Sequence, residues 1–156
     1  MARDILVGVD VGTTSIKALA VRPDGTVLAA ASRETPWRHA GAMADVDPTL
    51  LADTVMTVCA AAASDERVGS GGATTVLGIG VTGSAGAGAL IDAAGRPCAP
   101  ALAWFDPRGE AQVVKDVIGR DLFQRTTGTR LNSRLSICKI LWLQKNVPGA
   151  AAAVRH

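Results

Sequence analysis

The chain has no run of about 18 apolar residues, so nothing in it reads as a membrane-spanning helix and no membrane partner is expected. The pattern Gly-x-x-x-x-Gly-Lys-Ser/Thr is absent, which excludes a P-loop. Charge is sparse: 19% of residues are charged and the net charge is +2. The charged share falls below the roughly 25% of ordinary soluble domains. So small a net charge sets up no field for nucleic acid or acidic lipid, and nucleic acid is not an expected partner. Cysteine is scarce as well. Cys59, Cys98 and Cys138 are odd in number and lack zinc spacing. They are expected to be reduced, packed thiols of a cytoplasmic protein. Met1-Ala-Arg-Asp runs straight into the first apolar stretch, so no signal peptide is expected. What is present is 156 residues, 48% of them apolar, enough for one domain with a core. The excess of apolar over charged residues suits a chain that hides part of its surface against a further segment.

The informative stretch is residues 5–20, ILVGVDVGTTSIKALA. Ile5, Leu6, Val7 and Val9 favour a buried strand. Ile16, Ala18 and Ala20 alternate with Lys17 and Leu19, the period of a second strand. Between the two lie Asp10, Gly12, Thr13, Thr14 and Ser15. Gly12 is expected to take a positive φ at the bend. Hydroxyls and backbone N–H groups from Thr13, Thr14 and Ser15 can surround an anion. Asp10, at the strand end, can hold a magnesium ion directly or through water. Lys17 can add a cation. On composition alone, an ordinary solvated hairpin turn is the alternative.

Downstream, Pro23-Asp-Gly25 marks a turn and residues 26–34 a third strand antiparallel to the second, completing a meander. Residues 35–46 read as irregular, and His39 as a surface loop residue rather than a catalyst. Asp47 and Pro48 suit the cap and first position of a helix. Leu51, Val55, Val58 and Ala62 then line one face of it, and residues 64–72 end it. Thr74–Gly83 reads as a buried strand, parallel to the first through a βαβ crossover. Gly78, Gly80 and Gly83 formally match the dinucleotide fingerprint. They lie inside an apolar run rather than in a turn opening a helix, which leaves an NAD-binding protein as a minor alternative. Residues 89–92, 93–95 and 100–105 read as strand, turn and strand. Trp104, Asp106 and Arg108, at alternate positions of an extended segment, would project to one side as an apolar face with two polar arms; a buried Trp beside a surface Asp–Arg pair is the alternative. A helix is expected near 108–118, a short helix and turn over 121–128, and a helix over 136–144 with Lys139 on a solvated flank. Another helix is expected from residue 150.

Asp10-Val-Gly-Thr-Thr-Ser-Ile-Lys17 resembles the first phosphate loop of the FGGY carbohydrate kinases, within the actin/hexokinase-like ATPases. Three later segments extend the resemblance: Asp45-Val-Asp47-Pro48, Trp104-Phe-Asp106-Pro-Arg108 (similar to a Trp-x-Asp-x-Arg signature), and the Leu141-Trp142-Leu143 helix. The phosphate loop alone leaves an actin-like protein or another sugar kinase open; the later segments favour the FGGY group. The resemblance implies an α/β, ribonuclease H-like fold. Residues 1–156 would form an incomplete N-terminal domain: a three-strand antiparallel meander, a parallel strand and flanking helices, without the second domain. It implies ATP and Mg2+ as cofactors, with phosphate held by Asp10, Gly12, Thr13, Thr14 and Lys17, and the metal by Asp10. It implies a sugar or polyol substrate against Ser84, Trp104, Asp106 and Arg108. Where xylulose-type kinases usually carry Gln-Met-His after the residue matching Gly83, this chain has Ser84, Ala85 and Gly86, so a large polar contact is missing and the sugar is left open. The catalytic aspartate and adenine pocket would lie outside these residues. The chain alone is therefore expected to be inactive and to self-associate through an exposed apolar face. The other reading is a non-catalytic nucleotide- or sugar-binding module.

Overall fold

The computed structural model describes residues 3–69 and 74–150. In chain order the elements are β1 (Arg3–Val11), β2 (Ser15–Val21), β3 (Val27–Glu34), β4 (Arg38–Ala40), β5 (Met43–Val46), α1 (Pro48–Ala63), α2 (Glu66–Gly69), β6 (Thr74–Gly83), β7 (Ala101–Leu102), α3 (Ala111–Ile118), α4 (Arg120–Thr127) and α5 (Ser136–Asn146). They divide between two units. The first carries β1–β3, β6 and the two helices between β5 and β6; the second carries the remaining elements.

The sheet of the first unit has the order β3-β2-β1-β6. β1–β2 and β2–β3 are antiparallel, as the meander requires, and β6 runs parallel to β1. The turn at Pro23-Asp-Gly25 is closed by Gly25 N–H on the Arg22 carbonyl at 2.9 Å, with Gly25 at φ +89°. Alternation along β1 and β2 puts Ile5, Val7, Val9, Ile16, Ala18 and Ala20 on one face. There they bury against Val58, Cys59 and Ala62 of α1, with Leu51 and Val55 packed at the margin. Each of the larger aliphatic side chains contributes about 1.5–3 kcal/mol by leaving water. Pro48 opens α1 as the sequence suggests. Residues 64–72 do more than stop it, because α2 adds a further turn that buries Val68. Residues 70–73 lie outside the described residues, as does the helix expected beyond Ala150.

β6 has the expected bounds but is not buried. Leu77, Ile79 and Val81 are 55%, 52% and 69% exposed. The helices cover β1 to β3, and β6 is the sheet's edge, so its apolar residues lack a partner among the described residues. An uncharged ten-residue edge of this kind pairs readily with another chain. Changing Ile79 and Val81 together to lysine is expected to lower the apparent mass in light scattering at high protein concentration. The same mass for variant and wild type would contradict this. The glycines of the formal dinucleotide match, Gly78, Gly80 and Gly83, sit within β6 and open no helix.

Of the segment expected to be irregular, residues 35–37 lie in no helix or strand, but residues 38–46, in the second unit, are regular. β4 and β5 form a hairpin around Gly41, which takes φ +61°, and β5 pairs with β7 in a three-stranded antiparallel sheet. The strands are too short to show a period in sequence, and long-range pairing with β7 completes them. His39 thus lies on β4, where it is exposed and stacks on Phe105. Conversely, the strand expected over 89–92 is reduced to a turn flanked by the bridge Ile91–Pro97. Only Ala101–Leu102 of 100–105 is strand. Pro97 and Pro100 lack the N–H that a longer ladder needs. The helix expected near Arg108 begins three residues later, after Pro107 and Gly109. α4 and α5 fall where expected, α4 ending on left-handed Gly128. Val114, Phe123 and Cys138 form one core and Leu102 with Leu143 another. Burial raises the Cys59 and Cys138 thiols above their ordinary range, as suits cysteines that pack rather than react.

Candidate functional site

The bend between β1 and β2 is tied down on three sides within the first unit. Gly12 N–H donates to the Ser15 carbonyl at 3.1 Å. Thr35, at the end of β3, donates its Oγ1 to the Gly12 carbonyl at 2.7 Å and its N–H to the Thr14 carbonyl at 3.0 Å. Ser84, just past β6, donates its N–H to the Val11 carbonyl at 3.0 Å, and its Oγ lies 3.0 Å from Thr13 Oγ1. Gly12 does not have a positive φ, contrary to the expectation from sequence. The position is glycine for lack of room: a Cβ there would stand 2.8 Å from the Ser15 carbonyl oxygen. The hydrogen bond that closes the bend is what fills that space.

Register then assembles a polar row. Asp10 is paired with Lys17 across β1–β2 and with Thr82 across β1–β6, so all three share a face. Gly8 and Gly80, also paired, extend that face with bare backbone where a Cβ would meet nothing within 4 Å. The result is an open trough of about 490 Å³ floored by Gly8, Asp10, Lys17, Leu19, Gly80 and Thr82. Lys17, central in its strand, is therefore aimed into the same trough as Asp10. Among the described residues no three His, Cys, Asp or Glu side chains converge on a metal position. On this face Asp10 offers a carboxylate, the kind of oxygen ligand a magnesium ion takes.

In the second unit, Trp104 and Phe105 form a turn closed by Asp106 N–H on the Ala103 carbonyl at 3.0 Å. This corrects the extended segment expected from sequence. In a turn, alternate residues do not share a side: Trp104 is 41% exposed while Asp106 is fully buried. Trp104 stands edge-on to Phe105, with ring centroids 5.5 Å apart. Asp106 accepts from Ala44 N–H at 2.7 Å, Arg108 N–H at 2.8 Å and Arg108 Nη2 at 2.7 Å. Burial works to raise the Asp106 carboxyl, but the hydrogen bonds from the Arg108 side chain, Ala44 N–H and Arg108 N–H outweigh it and hold the group below its ordinary range. Arg108 also reaches Asp45 at 3.0 Å and lies 5.2 Å from the centre of the Trp142 ring, a cation–π distance.

Three contributors were not legible as site residues. Asp45, read only as part of a helix-entry segment, joins Arg38 and Arg108. Thr35 carries no sequence signal beyond a hydroxyl before a proline. Lys139, expected on a solvated flank, is 4% exposed and donates its Nζ to the Ala103 carbonyl. Its spacing of four from both Leu135 and Leu143 was the available sign that it faces inward.

The model of the FGGY family of carbohydrate kinases, N-terminal domain, matches residues 5–156. A glycerol kinase of Aromatoleum aromaticum is 31% identical over 154 residues, covering 96% of this chain and 30% of that protein. A xylulose kinase of Streptomyces coelicolor is 27% identical over 157 residues, covering 97% of this chain and 31% of that protein. The crystal structure of a xylulose kinase from Rhodospirillum rubrum superposes with a TM-score of 0.82 at 29% identity, over 96% of this chain and 30% of that one. The chain thus spans under a third of the length of these relatives. Its mixed sheet and helices are part of the actin/hexokinase-like ATPase fold that these kinases share. With the opening loop, the strand order and the family match in agreement, the chain belongs to the FGGY family of carbohydrate kinases.

Proposed function

We propose that these 156 residues supply the phosphate-holding loop and a substrate-facing cluster of a kinase that transfers the γ-phosphoryl group of ATP to a sugar or polyol hydroxyl. The observation that carries the reading is the bend at Gly12, tied to three strands beside the row Asp10, Lys17 and Thr82. In this reading Gly12, Thr13 and Thr14 hold phosphate oxygens, Lys17 offsets their charge and Asp10 holds Mg2+. Bound Mg2+ supplies charge neutralisation and orientation of the phosphates. Ser84 braces Thr13. Trp104 offers its exposed ring face to the C–H groups of the substrate, with Asp106 and Arg108 as the polar pair behind it.

Residues 1–156 are read as a portion of the N-terminal domain. The base that accepts the hydroxyl proton and the pocket for adenine come from outside these residues, so the chain alone binds without turnover. Calorimetry with ATP, Mg2+ and a panel of sugars and polyols, run beside a coupled turnover assay, tests this. The expected result is Mg2+-dependent nucleotide binding with no turnover. Turnover with any sugar would contradict the division of labour, and absence of nucleotide binding at millimolar concentration would contradict the loop assignment. NADH binding in place of ATP would replace the reading altogether.

A further inference from the structure

We propose that Lys139 is a positioning residue: from α5 its side chain grips the carbonyl of Ala103 and so holds the turn that presents Trp104 and Phe105. The inference rests on that turn being substrate-facing. The Ala103 oxygen accepts twice, from Lys139 Nζ and from the Asp106 N–H that closes the turn. The Ala103 N–H is taken by the Ala44 carbonyl at 3.0 Å. Residue 103 is thereby fixed from β5, from α5 and by the turn itself.

A buried ammonium is costly unless an acceptor repays it. The charges facing Lys139 are Asp106, which attracts it, and Arg134 and Arg108, which repel it. Burial is the largest influence and, despite Asp106, holds the amine below its ordinary range. Asp106 is already neutralised by Arg108, with which it forms a 2.7 Å ion pair. Lys139 is therefore not needed as its counter-ion, and the contact it makes is with the turn's own backbone. Beside it lies a cavity of about 70 Å³, lined by Gly86, Leu102, Ser136, Lys139 and Leu143 among others, with space for a bulkier head group.

The test uses the chain labelled with 5-fluorotryptophan. Its three tryptophans, Trp37, Trp104 and Trp142, are assigned by single changes to phenylalanine. Lys139→Met should move or broaden the Trp104 fluorine resonance while leaving that of Trp142, on the same helix as Lys139, in place. Lys139→Arg, with the cavity to receive it, should restore Trp104. A folded Lys139→Met whose Trp104 resonance matches wild type overturns the proposal. So does one in which Trp142 moves as far as Trp104, which would mean general loosening of α5. If Lys139→Met does not fold, lysine-selective 15N spectra of the wild type decide: one ammonium protected from exchange is expected, and none would overturn the proposal. In a longer kinase carrying the chain, Lys139→Met should raise the sugar KM on the order of tenfold, the scale of a lost charged hydrogen bond, with the ATP KM unchanged. A Trp104 response without any change in sugar KM would remove the substrate reading and leave the positioning role standing.

Discussion

Gly12→Ala is expected to abolish Mg2+-dependent nucleotide binding and to lower stability by about 1–3 kcal/mol, the range for forcing a methyl into filled space. The added Cβ would meet the Ser15 carbonyl oxygen at 2.8 Å, so either the Gly12–Ser15 hydrogen bond breaks or the strand ends part. Neither the Thr35 nor the Ser84 tether can absorb that shift without loosening, because between them they hold carbonyls or hydroxyls of Val11, Gly12, Thr13 and Thr14. The control is Gly8→Ala, where a Cβ would meet nothing within 4 Å and stability should hold. Chemical denaturation and calorimetry on the pair read the result. Equal nucleotide affinity in Gly12→Ala and wild type would refute the steric account of the bend.

Asp106→Ala is expected to carry the larger stability cost, about 3–5 kcal/mol, because it removes the buried partner of an ion pair, leaving the half-buried Arg108 guanidinium with Asp45 alone and the Ala44 N–H without its acceptor. Arg38→Ala, at a pair whose arginine is 67% exposed, should cost no more than about 1 kcal/mol. A difference of that size is readable from urea midpoints, and comparable losses in the two variants would contradict the assignment of Asp106 as the network's centre. The same carboxylate sets a pH dependence. Its folded-state pKa lies below the unfolded value of about 3.9, so its contribution is complete above that pH and is lost as pH falls through the lower folded value. Wild-type stability should therefore drop more steeply below about pH 4 than that of Asp106→Asn. Parallel acid profiles would show that Asp106 is not the group responsible.

The parts of the fold legible in sequence were those whose signal is local and repeated. β1 and β2 alternate over several residues, α1 carries a stripe from Leu51 to Ala62, and Gly25 and Gly128 mark turns by their backbone freedom. What escaped depends on partners distant in sequence. β4 and β5 are three and four residues long and exist because β5 finds β7 more than fifty residues later. The exposure of β6 follows from which strands the helices cover, a property of the sheet's edge that the apolar run Thr74–Gly83 cannot express. In the site, residue types were legible and their arrangement was not. Asp10 and Lys17 were both candidates, but only strand register shows them facing one trough. Alternation in sequence makes Asp106 and Arg108 two arms of an extended segment, whereas the turn at Trp104 buries Asp106 against Arg108. A charged residue in a helix defaults to solvent, but the leucines four residues to either side of Lys139 carry it inward, where it is buried.

The most direct measurement is of the bend itself. In 15N-labelled protein titrated with MgADP, the amide resonances of Gly12, Thr13 and Thr14 should shift first and furthest, with Asp10 and Lys17 following and the amides of α4 unmoved. Binding seen by calorimetry with those amides unshifted would contradict the claim that this bend receives the nucleotide's phosphates.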